Sequence, residues 1–241
     1  MALYSEPSSE EPPFWCGEGS SAGGACYTSS VLLFDAPITL REALSSTRSP
    51  TLAEVFRLVL SSLKERSDIA IFGAQAVNAY VDPPRMTSDV DVLSTNAENL
   101  AEELRDRLSE EFRIAVRVRT VAHGRGFRVY QIRRLPEKNR HLVDVRQVDE
   151  LPNTEQIDGI DVVAPIDLIV MKLESFVERR HTDKGISDRL DLHRLLLAFP
   201  EFRHPATVTH ELELRGASPS VQKAWAEILS EPMRRADDDE Y

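Results

Sequence analysis

Residues 69 to 93 read IAIFGAQAVNAYVDPPRMTSDVDVL, and this stretch constrains the fold more than any other. A short apolar run ends at Gly73. The segment AQAVNAYV has helical character until Pro83 and Pro84 stop it. In DVDVL, acids then alternate with valines, which is the period of a strand. Val90 and Val92 face a core, while Asp89 and Asp91 share the opposite face about 6.5 Å apart. An edge strand facing water would show the same alternation, so the context has to decide what the carboxylates do.

The rest of the chain sets that context. SPTLAEVFRLVLSSLKERS has apolar residues at helical spacing, with Ser49 near the expected N-cap. NAENLAEELRDRLSEEF is a second amphipathic helix. RIAVRVRTVAH, FRVYQIRR, HLVDVRQV and GIDVVA read as successive strands. Only helices follow: PIDLIVMKLESFVERR, opened by Pro165, then SDRLDLHRLLLAF and SPSVQKAWAEILSEPMRR. The fold expected is therefore α/β (α+β), a mixed-sheet core over residues 49–163 with a C-terminal helical domain over 164–241. Residues 1–48 are rich in Ser, Gly, Glu and Pro and read as a flexible leader. Cys16 and Cys26 lie in this leader without the partners a zinc site needs. No apolar run approaches the roughly 18 residues of a membrane span, and no signal pattern opens the chain, so a cytoplasmic protein is expected.

Paired acids on a strand are a candidate site for a divalent cation, and a two-ion site needs a third carboxylate. Asp144, in the middle of HLVDVRQV, offers one. Gly73, at a strand-to-helix turn sixteen residues before Asp89, lets backbone N–H groups and a helix N-terminus face phosphates. A short helix and a returning strand would bring that cradle beside the carboxylates.

The pattern Gly-Ala-x-Ala, then Arg-Met-Thr-Ser-Asp-Val-Asp-Val, then a third acid on a later strand resembles the nucleotidyltransferase superfamily that includes DNA polymerase beta. The Arg-x-Thr-x-Asp-x-Asp form is most similar to the abortive-infection (AbiEii-type) nucleotidyltransferases and type IV toxins. In that group a lysine on a later helix and an Asp-x-x-Asp-Leu follow, matched here by Lys172 and by Asp188 and Asp191. The resemblance covers residues 55 to 197 in order. It implies transfer of an NMP from an NTP to a hydroxyl, with two Mg²⁺ ions, or Mn²⁺ in their place. Asp89 and Asp91 would hold both metals, and Asp144 would complete the acceptor-side metal as a third ligand and take the hydroxyl proton. Gly73 and Ala74 would cradle the phosphates through their N–H groups. Lys172 would meet the triphosphate, and Arg85 and Thr87 would brace the aspartate loop. Asp188 and Asp191 would complete the nucleotide site. His181 and His193 read as structural.

Net charge is −11, yet residues 113 to 140 carry nine Lys and Arg against the single acid Glu137. Arg117 and Arg119 share one strand face, and Arg128, Tyr130 and Arg134 share another. A positive ledge beside the metal site suits a phosphate-rich acceptor such as tRNA. A protein side chain is the other acceptor considered, with a cognate antitoxin or regulator as partner and no membrane. Two alternatives stay open. One is a small-molecule adenylyltransferase of the aminoglycoside type, to which Glu174 and Glu178 would contribute negative charge. The other is a non-catalytic nucleotide-binding or antitoxin-like partner. It is kept open by Ala74, which stands where the superfamily usually has Gly or Ser and has no hydroxyl to offer.

Overall fold

The structure is a computed structural model that describes residues 49–234. The leader expected over 1–48, with both cysteines, lies outside the described residues, as does the chain from 235 onward. All the described residues fall in one compact unit.

Helix α1 (Leu52–Leu63) opens the described chain. Its cap is Thr51, not the expected Ser49. Thr51 Oγ1 accepts from the Glu54 N–H, and the Glu54 carboxylate accepts from the Thr51 N–H. This reciprocal box needs a hydroxyl three residues before an acid, which Thr51 satisfies. Strand β1 (Ile69–Phe72) follows, every residue buried, and then α2 (Gly73–Tyr80). Strand β2 (Val90–Ser94) returns antiparallel to β1. Helix α3 (Ala97–Phe112) buries Leu100, Leu104 and Leu108. Its first N–H, of Ala97, is taken by the Gln147 side chain, which caps the helix from a distant strand.

Strands β3 (Val116–Val121), β4 (Gly126–Gln131) and β5 (Arg140–Gln147) form an antiparallel meander. Strand β4 stops at Gln131, so Arg134 lies in the following loop and does not share a strand face with Arg128. Strands β6 (Thr154–Ile157) and β7 (Ile160–Val163) make a hairpin. Asp158 and Gly159 both take positive φ at its turn, as a two-residue Asp-Gly hairpin requires. The seven strands run in the order β3-β4-β5-β2-β1-β7-β6. At the centre β5 lies parallel to β2 and β7 parallel to β1, in an otherwise antiparallel sheet.

The sheet ends at Val163 and helices begin at Pro165: α4 (Pro165–Arg179), α5 (Asp183–Ala198), α6 (Pro205–Leu214) and α7 (Pro219–Ser230). Their buried residues, Leu168, Leu173, Leu192, Leu195 and Trp225 among them, belong to the same apolar core as the strands. Asp167, fully buried at the start of α4, accepts from the Asn153 N–H and pairs with Arg215, tying α4 to the chain after α6.

Candidate active site

The register of the sheet assembles the carboxylates. Asp91 stands opposite Phe72 on one side and opposite Asp144 on the other. Residues directly opposite share a face, so Asp91 and Asp144 project together from two neighbouring strands. Asp89 sits just before β2, where the Thr87 hydroxyl donates to its carbonyl (3.2 Å) and the Ser88 hydroxyl to its Oδ1 (3.2 Å).

Gly73 is required here twice over. Its φ is +70°, in the left-handed region. A Cβ at Gly73 would lie 2.1 Å from Asp91 Oδ2, so only a residue without a side chain lets the turn approach the acid. No side chain caps α2 at Phe72, and the first residues of the helix, Gly73 and Ala74, line the cleft. Positive helix end and negative carboxylate thus meet at one point.

Asp91 shows the electrostatic cost. Its carboxyl is pushed up to about 6, first by burial and then by the charge of Asp89, with Asp144 adding to it. Arg146 and Lys172 pull the other way but do not win. Asp144 has a direct partner in Arg128, whose Nε donates to Oδ2 at 3.2 Å from the facing position on β4. Among the described residues no three His, Cys, Asp or Glu groups already stand close enough together to enclose a metal ion.

Behind the carboxylates lies a buried ion network. Arg85 makes a two-pronged pair with Asp191, Nε to Oδ1 at 2.6 Å and Nη2 to Oδ2 at 2.7 Å. Lys172 Nζ donates to Asp191 Oδ2 (2.8 Å) and to Asp188 Oδ1 (3.2 Å), and Arg179 donates to Asp188 Oδ2 (2.6 Å). Asp188, Asp191 and Lys172 are all buried. Burial alone would push the Asp191 carboxyl up, but the hydrogen bond from Arg85 and the charge of Lys172 hold it below its ordinary value. Lys172 therefore lines the cleft with two carboxylates already on it, rather than as a free point charge. The network fixes the loop between α2 and β2 to helices α4 and α5.

Sequence reasoning passed over Asn78. Its side-chain amide donates to the Arg85 carbonyl (2.7 Å), and its Oδ1 accepts from the Arg85 N–H (2.9 Å). One residue of α2 thus clamps the loop that leads to Asp89. The only signal was an amide in the middle of a short helix. Arg179 and Arg146 were also missed as parts of the site, since single arginines on long elements carry no pattern of their own.

These groups surround a cleft of about 660 Å³, lined by Gly73, Asp89, Asp91, Asp144, Lys172 and Glu174 among others. The ten residues given a metal, nucleotide or loop role from the sequence all lie in the cleft wall or, as Asp191 does, bond directly to a residue that does. Glu174 and Glu178 are part of its lining, and burial, then Glu178, raises the Glu174 carboxyl.

No family model matches the chain, and no curated protein sequence matches it. Solved structures do. Polyadenylate synthase from Megavirus aligns with a TM-score of 0.49 at 16% identity, over 64% of this chain and 33% of that one. This chain thus spans about a third of the viral enzyme's length. JHP933 from Helicobacter pylori gives 0.45 at 13% identity, over 73% and 90% of the two chains. MenT4, a nucleotidyltransferase toxin from Mycobacterium tuberculosis, gives 0.34 at 14% identity, over 79% and 92%. Nucleotidyltransferases recur among these structural neighbours, a toxin among them.

Proposed function

We propose that the chain is a metal-dependent nucleotidyltransferase, moving an NMP from an NTP to an acceptor hydroxyl with release of pyrophosphate. The observation that carries this reading is the contact between Gly73 and Asp91. A helix N-terminus attracts phosphate, and a crowded carboxylate attracts a cation; a triphosphate with its divalent ion satisfies both at once.

The residues fit such an ion. Mg²⁺ takes one or two carboxylates and completes its shell with water and phosphate oxygens, so Asp89 and Asp91 need no closed protein cage. The raised Asp91 carboxyl marks negative charge that a cation relieves. When bound, Mg²⁺ (two ions, or Mn²⁺ instead) neutralises charge on the transferring phosphoryl group and the leaving pyrophosphate.

The chain's own groups do the positioning, which is most of what this reaction asks of a protein. The N–H groups of Gly73 and Ala74 bind phosphate oxygens. Lys172 adds positive potential from the cleft wall. Arg85 and Thr87 hold the loop that aims Asp89, with Asp188 and Asp191 holding Arg85 and Lys172 in turn. Asp144, on the acceptor side, takes the proton of the attacking hydroxyl, and Arg128 orients it.

The acceptor is a hydroxyl of tRNA or of a protein side chain. The resemblance in sequence carries with it a toxin-like role and a cognate antitoxin or regulator. Among the described residues no helix is long and apolar enough to cross a membrane. Glu174 and Glu178 in the cleft lining favour a second reading, a small cationic acceptor of the aminoglycoside kind.

The test is to incubate the purified protein with each NTP labelled at the α-phosphate, Mg²⁺ and total tRNA, with an aminoglycoside in a parallel reaction and Asp89→Ala as control. Label reaching RNA or protein and lost in the variant supports the leading reading. Label on the aminoglycoside supports the second. If no label moves and no NTP binds with Mg²⁺, the chain is a non-catalytic binding partner instead.

A further inference from the structure

The face of the sheet that carries the carboxylates continues past them to β3, the edge strand among the described residues. The residue facing Asp144 on β4 is Arg128, and the residue facing Arg128 on β3 is Arg119. One row therefore runs Asp91, Asp144, Arg128, Arg119 from the centre of the sheet to its edge. Beside it lies a second row of Arg117, Tyr130 and His141. Arg117, Arg119 and His141 are exposed, and Tyr130 is half-buried. Among the described elements the helix packed on β3, β4 and β5 is α3, and its buried leucines occupy the other face.

This arrangement works against the fold's own stability. Arg119 and Arg128 are like charges at directly facing positions, a pairing that destabilises a sheet. Among the described residues neither Arg117 nor Arg119 has a carboxylate partner. A hollow of about 540 Å³, lined by Arg125, Arg128 and Arg146, opens from the same side and shares Asp144 with the cleft. The positive rows therefore lead to the carboxylate on the acceptor side of the site.

We infer that this face is the acceptor platform and that it takes the end of a single-stranded nucleic acid. The inference rests on the nucleotidyltransferase reading and narrows its acceptor. Arginines spaced across neighbouring strands meet successive phosphates, while Tyr130 and His141 offer rings for unstacked bases. Two strand spacings separate Arg119 from Asp144, about 10 Å, room for the last few nucleotides with the terminal hydroxyl at Asp144. A duplex end would not present free base faces to those rings.

The experiment is fluorescence anisotropy with the full chain and a labelled, unstructured single-stranded RNA 12-mer, in EDTA and without NTP. Binding is expected that weakens with salt, with a log–log slope of about −0.7 per phosphate contacted. Arg119→Ala and Arg117→Ala should each weaken it severalfold and reduce the slope by about that amount, and the substitutions sit at exposed positions that the core does not need. Tyr130→Ala should cost at least about fivefold and Tyr130→Phe should restore binding, because the ring rather than the hydroxyl stacks. A blunt duplex of the same length should bind more weakly. No binding at low salt, or binding that ignores both arginine substitutions, overturns the platform. So does displacement of the RNA by poly-glutamate at equal charge concentration, which would assign the face to an acidic protein. Because the assay contains neither metal nor NTP, its failure leaves nucleotidyl transfer standing, and failure of transfer leaves the platform standing.

Discussion

Asp91→Asn should abolish nucleotidyl transfer and at the same time stabilise the metal-free protein. The Asp91 carboxyl is pushed up to about 6 from an ordinary 3.8. The native state thus holds this proton more tightly than the unfolded chain does. Ionising the group on going from pH 4 to pH 7 costs the native state about 3 kcal/mol, at about 1.4 kcal/mol per tenfold in proton affinity. The sign follows from the raised value: this contribution leaves the metal-free protein most stable below about pH 4, and stability declines as pH rises to about 6. Asparagine keeps the shape that fits against Gly73 and never ionises. At pH 7.5 in EDTA the variant should melt roughly 6–12 °C above the parent, given about 2–4 °C per kcal/mol for a chain of this size. Thermal melts from pH 4 to 8 should show the gap opening between about pH 4 and 6, and added Mg²⁺ with NTP should narrow it by stabilising the parent alone. A variant no more stable than the parent at pH 7.5, or a gap equally wide at pH 4, would refute the reasoning.

Gly73→Ala should remove Mg²⁺-dependent NTP binding, read by calorimetry, because the turn needs positive φ and the new methyl group would displace Asp91. Arg85→Ala leaves Asp191 buried with half its partners gone; a loss of about 3–5 kcal/mol in urea melts is expected, well above the 0–1 kcal/mol of an exposed pair. Asn78→Ala should lower kcat far more than it lowers Tm, because the amide holds the loop before Asp89 rather than the core; equal losses in both would make Asn78 merely structural. Thr51→Ala should cost about 1 kcal/mol of stability and leave activity alone.

How much of this was legible depended on the range of each interaction. The alternation of Asp89 and Asp91 with Val90 and Val92 is a local signal, and the strand is there. Asp144 was readable for the same reason, as an acid in an apolar run. Its partner Arg128 was not, because the facing position depends on a register set by a bulge between Val129 and Tyr130. Helix α6 escaped notice because only Val208 and Leu212 anchor it, too few to make a stripe. Strand β6 buries little, and the Asp158-Gly159 turn that announces it was passed over. Arg85 and Asp191 were each singled out, but nothing in a linear reading joins residues 106 positions apart.

That separation bears on synthesis. Arg85 leaves the ribosome long before Asp191, and Lys172 before either of the carboxylates that share it. Until α5 has emerged, the loop before Asp89 has Asn78 to hold it but lacks its main anchor. A nascent chain can therefore hold Asp91 and Asp144 in register before the loop that carries Asp89 has been anchored beside them. Under the nucleotidyltransferase reading proposed above, a chain that ends before Asp191 would lack this anchor and would not be expected to transfer nucleotide.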